Sequence, residues 1–263
     1  MRVVLFHIGD FPVRSYGLVV VLAVLLAMGV ALFLAKGTPY RDHIPNLMLY
    51  VMAGAIVMAR VWHVFFFQWG YYSRHWGEIL QVWNGGLSIQ GALAGGGLAA
   101  VLYARRNRLS FLELADLLAP AVILGQGIGR VACFLNGDAF GSPTGTGFGI
   151  VYPPGTIAFD TYGAVPLWPA EVWEGQWDII VFALLVVFKS YKWPKGCLFA
   201  VYAILYSVGR FMLEYLRGDS PRYAFGWTAG QWTSAGAAAV GVGFILYAAV
   251  SLYILRKKVE TKC

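Results

Sequence analysis

Three arginines, Arg60, Arg130 and Arg210, each fall inside a long apolar stretch of this 263-residue chain. A guanidinium costs free energy in such surroundings, and a residue of this kind marks a functional site by default. Arginine suits phosphate because its planar fork donates paired hydrogen bonds and keeps its charge at low dielectric. A second pattern runs through Tyr206, Arg210, Glu214 and Arg217, whose three- and four-residue steps put all four on one helix face. Taken singly, each arginine has a plainer reading: snorkelling to headgroups, or an internal ion pair such as Arg210 with Glu214. The convergence of all three favours a phospholipid headgroup.

The elements that must position these residues follow from composition. With 59% hydrophobic and 13% charged residues, the chain has more apolar surface than one water-soluble core can hide. The expected fold class is an all-α integral membrane protein with seven transmembrane helices. Hydrocarbon about 30 Å thick needs about 20 apolar residues per helix, and such segments lie near 16–34, 44–67, 85–103, 112–130, 177–188, 196–216 and 231–255. The first has positive charges after it as well as before it, unlike a signal peptide. The chain then forms a single polytopic membrane domain, 1–263.

Lysine and arginine set the orientation, because cytoplasmic loops retain them. Lys36, Arg41, Arg105, Arg106, Arg108, Lys189, Lys192, Lys195, Arg256, Lys257, Lys258 and Lys262 fall on one side, twelve of the twenty in the chain. The other side holds Arg2, Arg14, Arg74, Arg217 and Arg222, and a region 132–176 without a lysine or arginine. The N-terminus is expected outside, the C-terminus in the cytoplasm, and 132–176 as an extracytoplasmic loop region over the site. At about 1.5 Å of rise per residue, Arg60, Arg130 and Arg210 stand roughly 24, 27 and 21 Å above the inner ends of their helices. All three reach the outer third of the bilayer, with Tyr16 and Gln90 at similar depth. The net charge of +7 follows from this topology and from anionic lipid, and nucleic acid is a poor explanation for it.

Cys133, Cys197 and Cys263 have neither CxxC spacing nor histidines at metal spacing, so neither a disulfide nor a metal is expected. GALAGGG at 91–97 contains a GxxxG step suited to close helix packing. GQGIGR at 125–130 has glycines like a nucleotide loop, but no strand precedes it.

The stretch GRVACFLNGDAFG at 129–141 resembles the signature block of the prolipoprotein diacylglyceryl transferase family. SYGL from 15, WNGGLSIQGALAGG from 83, LADLLAP from 114, PAEVWEG from 169, YSVGRFMLEYLR from 206 and TAGQWTS from 228 follow in family order. The resemblance implies a seven-helix enzyme of the bacterial inner membrane, multi-pass, with a site facing the periplasm or outer leaflet. It implies transfer of diacylglycerol from phosphatidylglycerol to the lipobox cysteine of a prelipoprotein, with release of glycerol phosphate. The implied partners are phosphatidylglycerol, a lipobox peptide and membrane lipid, with no metal or organic cofactor. By motif match Arg130 and Arg210 grip the phosphodiester, and Tyr16, Asn136, Gly141 and Glu214 complete the site. Arg60 and Tyr206 join as substrate-binding residues on the depth and stripe arguments.

The chain departs from this pattern where the family proposes a catalytic histidine: it has Gln90, and an amide accepts no proton at neutral pH. Cys133 stands where asparagine is usual, Asp138 where glutamate is, and Trp168-Pro169-Ala170-Glu171 where His-Pro-Ser-Gln is common. Gln90 then positions substrate while Glu214, Glu171 or Asp138 takes the proton, or the chain is a diverged paralogue that handles phospholipid without this acceptor. An anion or lipid transporter would need polar groups through the inner half, where almost none are found. A retinal protein needs a Schiff-base lysine, and 231–255 has none.

Overall fold

The computed structural model describes residues 1, 3–9 and 11–260; Arg2, Lys262 and Cys263 of the sequence argument lie outside the described residues. A hairpin of β1 (Val4–Ile8) and β2 (Phe11–Arg14) leads into α1 (Ser15–Leu34). Then follow α2 (Ile44–Trp62), continued by a π-helical turn at His63–Phe67, the short α3 (Trp69–Tyr72), and α4 (Ile89–Arg106). The remaining elements are α5 (Phe111–Asn136), short α6 (Ile157–Tyr162), α7 (Ala170–Phe188), α8 (Cys197–Leu213) and α9 (Ala229–Glu260).

The protein is helical, and among the described residues five helical segments are long and apolar enough to cross a membrane: Ser15–Leu34, Arg41–Phe67, Phe111–Asn136, Cys197–Leu216 and Ala229–Ile254. Large side chains such as Leu25, Val57 and Leu246 are more than half exposed, as expected of surfaces wetted by lipid. Outside that group, α4 is rich in glycine and ends on Arg105 and Arg106, and α7 carries Glu171, Glu174 and Asp178. Those acids also explain a boundary. The hydropathy pattern starts the fifth segment at 177, whereas α7 begins at Ala170, because its first two turns bury acids on one face. Helix likewise claims 131–136, so the irregular part of the 132–176 region runs from 137 to 169 apart from α6.

Two compact units are present, Ala31–Leu114 and the combination of Met1–Val30 with Ala115–Cys263. In the first, α2 and α4 meet through glycines: a Cβ on Gly91 would stand 2.3 Å from the Met58 carbonyl oxygen, and one on Gly95 2.2 Å from that of Gly54. The GxxxG step is thus the seam of α4 against α2. Ser88 caps α4, accepting from the Gly91 amide, and its own amide donates to Ala59.

In the second unit Ala119 and Ile123 of α5, Val181 and Leu185 of α7 and Leu198 of α8 form a buried cluster. Asp116 accepts from the amides of Gly196 and Phe199, anchoring the start of α8 on α5. Gly209 lies under Trp177, whose indole N–H donates to the Leu205 carbonyl at 2.9 Å; a Cβ at Gly209 would meet that nitrogen at 2.0 Å. Gly127 and Gly175 similarly let α5 and α7 approach. The segment between α5 and α7 has its own small core of Phe140, Tyr152, Ala158 and Leu167.

Candidate functional site

Close approach of α5, α7 and α8 brings three charged faces together. The face of α7 carries Glu171, Glu174 and Asp178, three and four residues apart, with exposures of 0%, 4% and 2%. Glu174 is the hub. Its Oε2 lies 2.6 Å from Arg130 of α5, its Oε1 receives Arg210 of α8, and Arg217, just after α8, reaches the same oxygen at 3.4 Å. Arg210 also pairs with Glu214 Oε2 at 2.6 Å. The other Glu214 oxygen accepts from the Thr228 hydroxyl at 2.8 Å. Thr228 in turn is held by Gln231, whose side-chain oxygen accepts the Thr228 amide. Arg217 is clasped by Asp219 at 2.5 and 2.8 Å. Burial disfavours its charge, but the bonds it donates to Asp219 and the nearness of Glu174 outweigh burial and raise its pKa above the ordinary arginine value.

Three arginines therefore share one buried carboxylate. A lone buried carboxylate would be costly, and such an array persists because each charge finds several partners. It also preorganises the cations, since Glu174 aims Arg130 and Arg210 at one point. Tyr206 lines the small space with Arg130, Glu174, Asp178 and Arg210. Beside it, between α5 and α7, opens an apolar cavity of about 780 Å³ walled by Ile128, Phe134, Gly175 and Ile179, with Arg130 and Glu171 as its charged members.

The residues expected from sequence are thus distributed unequally. Arg130, Tyr206, Arg210 and Glu214 come together around Glu174. Tyr16, 41% exposed at the start of α1, is near enough to Arg130, Cys133 and Asp138 to interact with them electrostatically. Asn136 ends α5 and donates to Asp138 at 2.8 Å. Gly141 meets a packing demand: its amide donates to the Trp168 carbonyl, and a Cβ would stand 2.2 Å from that oxygen.

Arg60 and Gln90 belong to the unit Ala31–Leu114. Arg60 is 6% exposed and donates to the carbonyls of Glu78, Ile79, Gly85 and Gly86, with its guanidinium 5.0 Å from the Tyr72 ring centre. Four of its five N–H donors are thereby given to the backbone. Gln90 is exposed, and its side-chain oxygen accepts from Ser88 at 2.7 Å. Cys133 and Cys197 are free thiols.

Sequence reasoning passed over Glu174 as a charge partner and Asp178 and Tyr152 altogether, and it met Thr228 only as the first residue of a motif. The available signal was the 171, 174, 178 spacing, obscured because the apolar run that marks the helix begins only at Trp177.

Fold and site together define a class: a polytopic helical membrane protein with a buried arginine–carboxylate centre. Residues 3–247 match the family described as prolipoprotein diacylglyceryl transferase. The phosphatidylglycerol–prolipoprotein diacylglyceryl transferase of Acaryochloris marina is 38% identical over 219 residues, 82% of this chain and 80% of its own. That of Nostoc sp. is 39% identical over 229 residues, 82% and 79% of the two chains. That of Lysinibacillus sphaericus is 33% identical over 267 residues, covering 98% and 96%. The chain belongs to the prolipoprotein diacylglyceryl transferase family.

Proposed function

We propose that this protein transfers the diacylglyceryl group of phosphatidylglycerol to the lipobox cysteine thiol of prelipoproteins, releasing glycerol phosphate. The observation that carries the reading is the convergence of Arg130 and Arg210 on Glu174, joined to relatives named for this reaction along almost the whole chain.

In this reading the phosphodiester displaces Glu174 from the two arginine forks. Breaking the glyceryl C–O bond then develops charge on phosphate oxygens already facing fixed cations, which lowers the barrier. Glu214, held by Thr228, keeps Arg210 in place, and Tyr206 closes the polar space. Tyr16, Asn136 and Gly141 complete the site by motif match, and the same match gives Gln90 a positioning role. Arg60 acts chiefly through the loop 78–86 that it ties down. The apolar cavity beside Arg130 suits an acyl chain, since it places hydrocarbon next to a phosphate-binding group.

The same reading carries seven membrane-crossing helices, with α4 and α7 added to the five apolar ones. The N-terminus and the 137–169 segment lie outside, and the C-terminus lies in the cytoplasm. The excess of lysine and arginine in the opposite loops supports this orientation, in the inner membrane of a bacterium.

The test is direct: purified protein in phosphatidylglycerol micelles is given a lipobox peptide, and lipid label is followed onto the thiol. Label on the peptide, absent when its cysteine is serine, is the expected result. Binding of lipid without thiol modification would instead support the diverged paralogue.

A further inference from the structure

Four carboxylate oxygens are buried without a hydrogen-bond partner among the described residues: Glu171 Oε2, Glu174 Oε2, Asp178 Oδ2 and Glu214 Oε2. Two of them face a cation, Glu174 with Arg130 and Glu214 with Arg210, each at 2.6 Å. That leaves Glu171 and Asp178. Asp178 lines the small polar space of Arg130, Glu174 and Arg210, and it has no part in the wall of the larger apolar cavity. Glu171 instead borders the cavity of about 780 Å³ that also contains Arg130. Its Oε1 accepts from the hydroxyl of Tyr152, itself 1% exposed, which fixes the carboxylate while Oε2 is buried and has no hydrogen-bond partner. Asp138, another acid of this region, already accepts from Asn136.

We infer that Glu171 is the proton acceptor for the incoming thiol, a role that rests on the transferase reading above. A lipobox thiol has a free pKa of about 8.5 and must lose its proton to attack, and Gln90 cannot take it. In the step, the S–H proton passes to Glu171 Oε2 and the sulfur electron pair forms the S–C bond to the glyceryl carbon. The C–O bond to the phosphate breaks, and its electron pair leaves on glycerol phosphate, facing Arg130. Glu171 then returns its proton to that phosphate or to water. Around the carboxylate stand Tyr152, Asp138, Glu174 and Arg217, with Arg130 across the shared cavity, so cations and acids both act on it.

The experiment compares wild type and Glu171→Gln on two peptides, one with the lipobox cysteine and one with selenocysteine, whose selenol is ionised at neutral pH. With the cysteine peptide, Glu171→Gln should lose about a hundredfold in kcat at pH 7, in the range of a missing general base. That loss should shrink about tenfold per pH unit towards the thiol's own pKa near 8.5. With the selenocysteine peptide the variant should run close to wild type. A Glu171→Gln protein at the wild-type rate on cysteine at pH 7 overturns the assignment. So does a loss that neither higher pH nor the selenol restores, because that pattern marks damage to the fold. Wild type that modifies neither peptide fails the transferase reading itself, a separate outcome.

Discussion

At the scale of single residues, the site turns on how guanidinium donors are spent. Arg130 and Arg210 spend theirs on the carboxylates of Glu174 and, for Arg210, Glu214 as well, whereas Arg60 spends four on backbone carbonyls. Arg130→Lys keeps the charge and loses the fork, so it should cost about 3–4 kcal/mol of transition-state stabilisation, or a hundred- to a thousandfold in transfer rate. The measurement is kcat in phosphatidylglycerol micelles; full activity would remove Arg130 from the phosphate. Arg60→Lys should chiefly lower thermal stability, with the surviving folded fraction keeping its KM for lipid. Gln90→Ala should give a moderate loss with an unchanged pH profile if the amide positions substrate, and no change would leave Gln90 without a part.

At the scale of elements, glycine sets how near the charged faces come. Trp177 of α7 sits on Gly209 of α8, one residue before Arg210, so the distance between these helices fixes the distance from Glu174 to Arg210. Gly209→Ala would put a methyl group 2.0 Å from the indole nitrogen. Overpacking of this kind costs about 1–3 kcal/mol, and here it also parts the ion pair. The variant should melt at lower temperature in detergent and lose activity beyond what its folded fraction explains. Activity in proportion to folded protein would mean that the α7–α8 spacing does not tune the site. The acidic face of α7 illustrates a wider point, since its first two turns are polar by composition yet buried by partnership with α5 and α8.

At the scale of the whole molecule, the proposed topology rests on the distribution of lysine and arginine. A cysteine at Ser142, in the segment after α5, should react with an impermeant maleimide in intact spheroplasts. Labelling only after lysis would reverse the orientation and place the arginine centre at the cytoplasmic face.

Much of this was legible in the chain alone, because it depends on composition and local spacing. The apolar runs require helices, since a backbone in hydrocarbon must satisfy its own hydrogen bonds. The stripe from Tyr206 to Arg217 follows from the helical repeat, and the family follows from motifs in order. The four-residue step already suggested the Arg210–Glu214 pair that the structure shows; what remained for tertiary structure was the partner of each charge on another element. No local pattern tells whether an arginine faces a carboxylate on another helix, a row of carbonyls or a headgroup, because those groups lie tens of residues away in sequence. The 171, 174, 178 face shows why: acids lower hydropathy, so a sequence reading trims them from the helix, and only the approach of α5 and α8 supplies the cations that let them be buried. Equally, Arg60 and Arg130 are alike as residues in apolar helices, and only the folded chain gives one to the backbone and the other to Glu174.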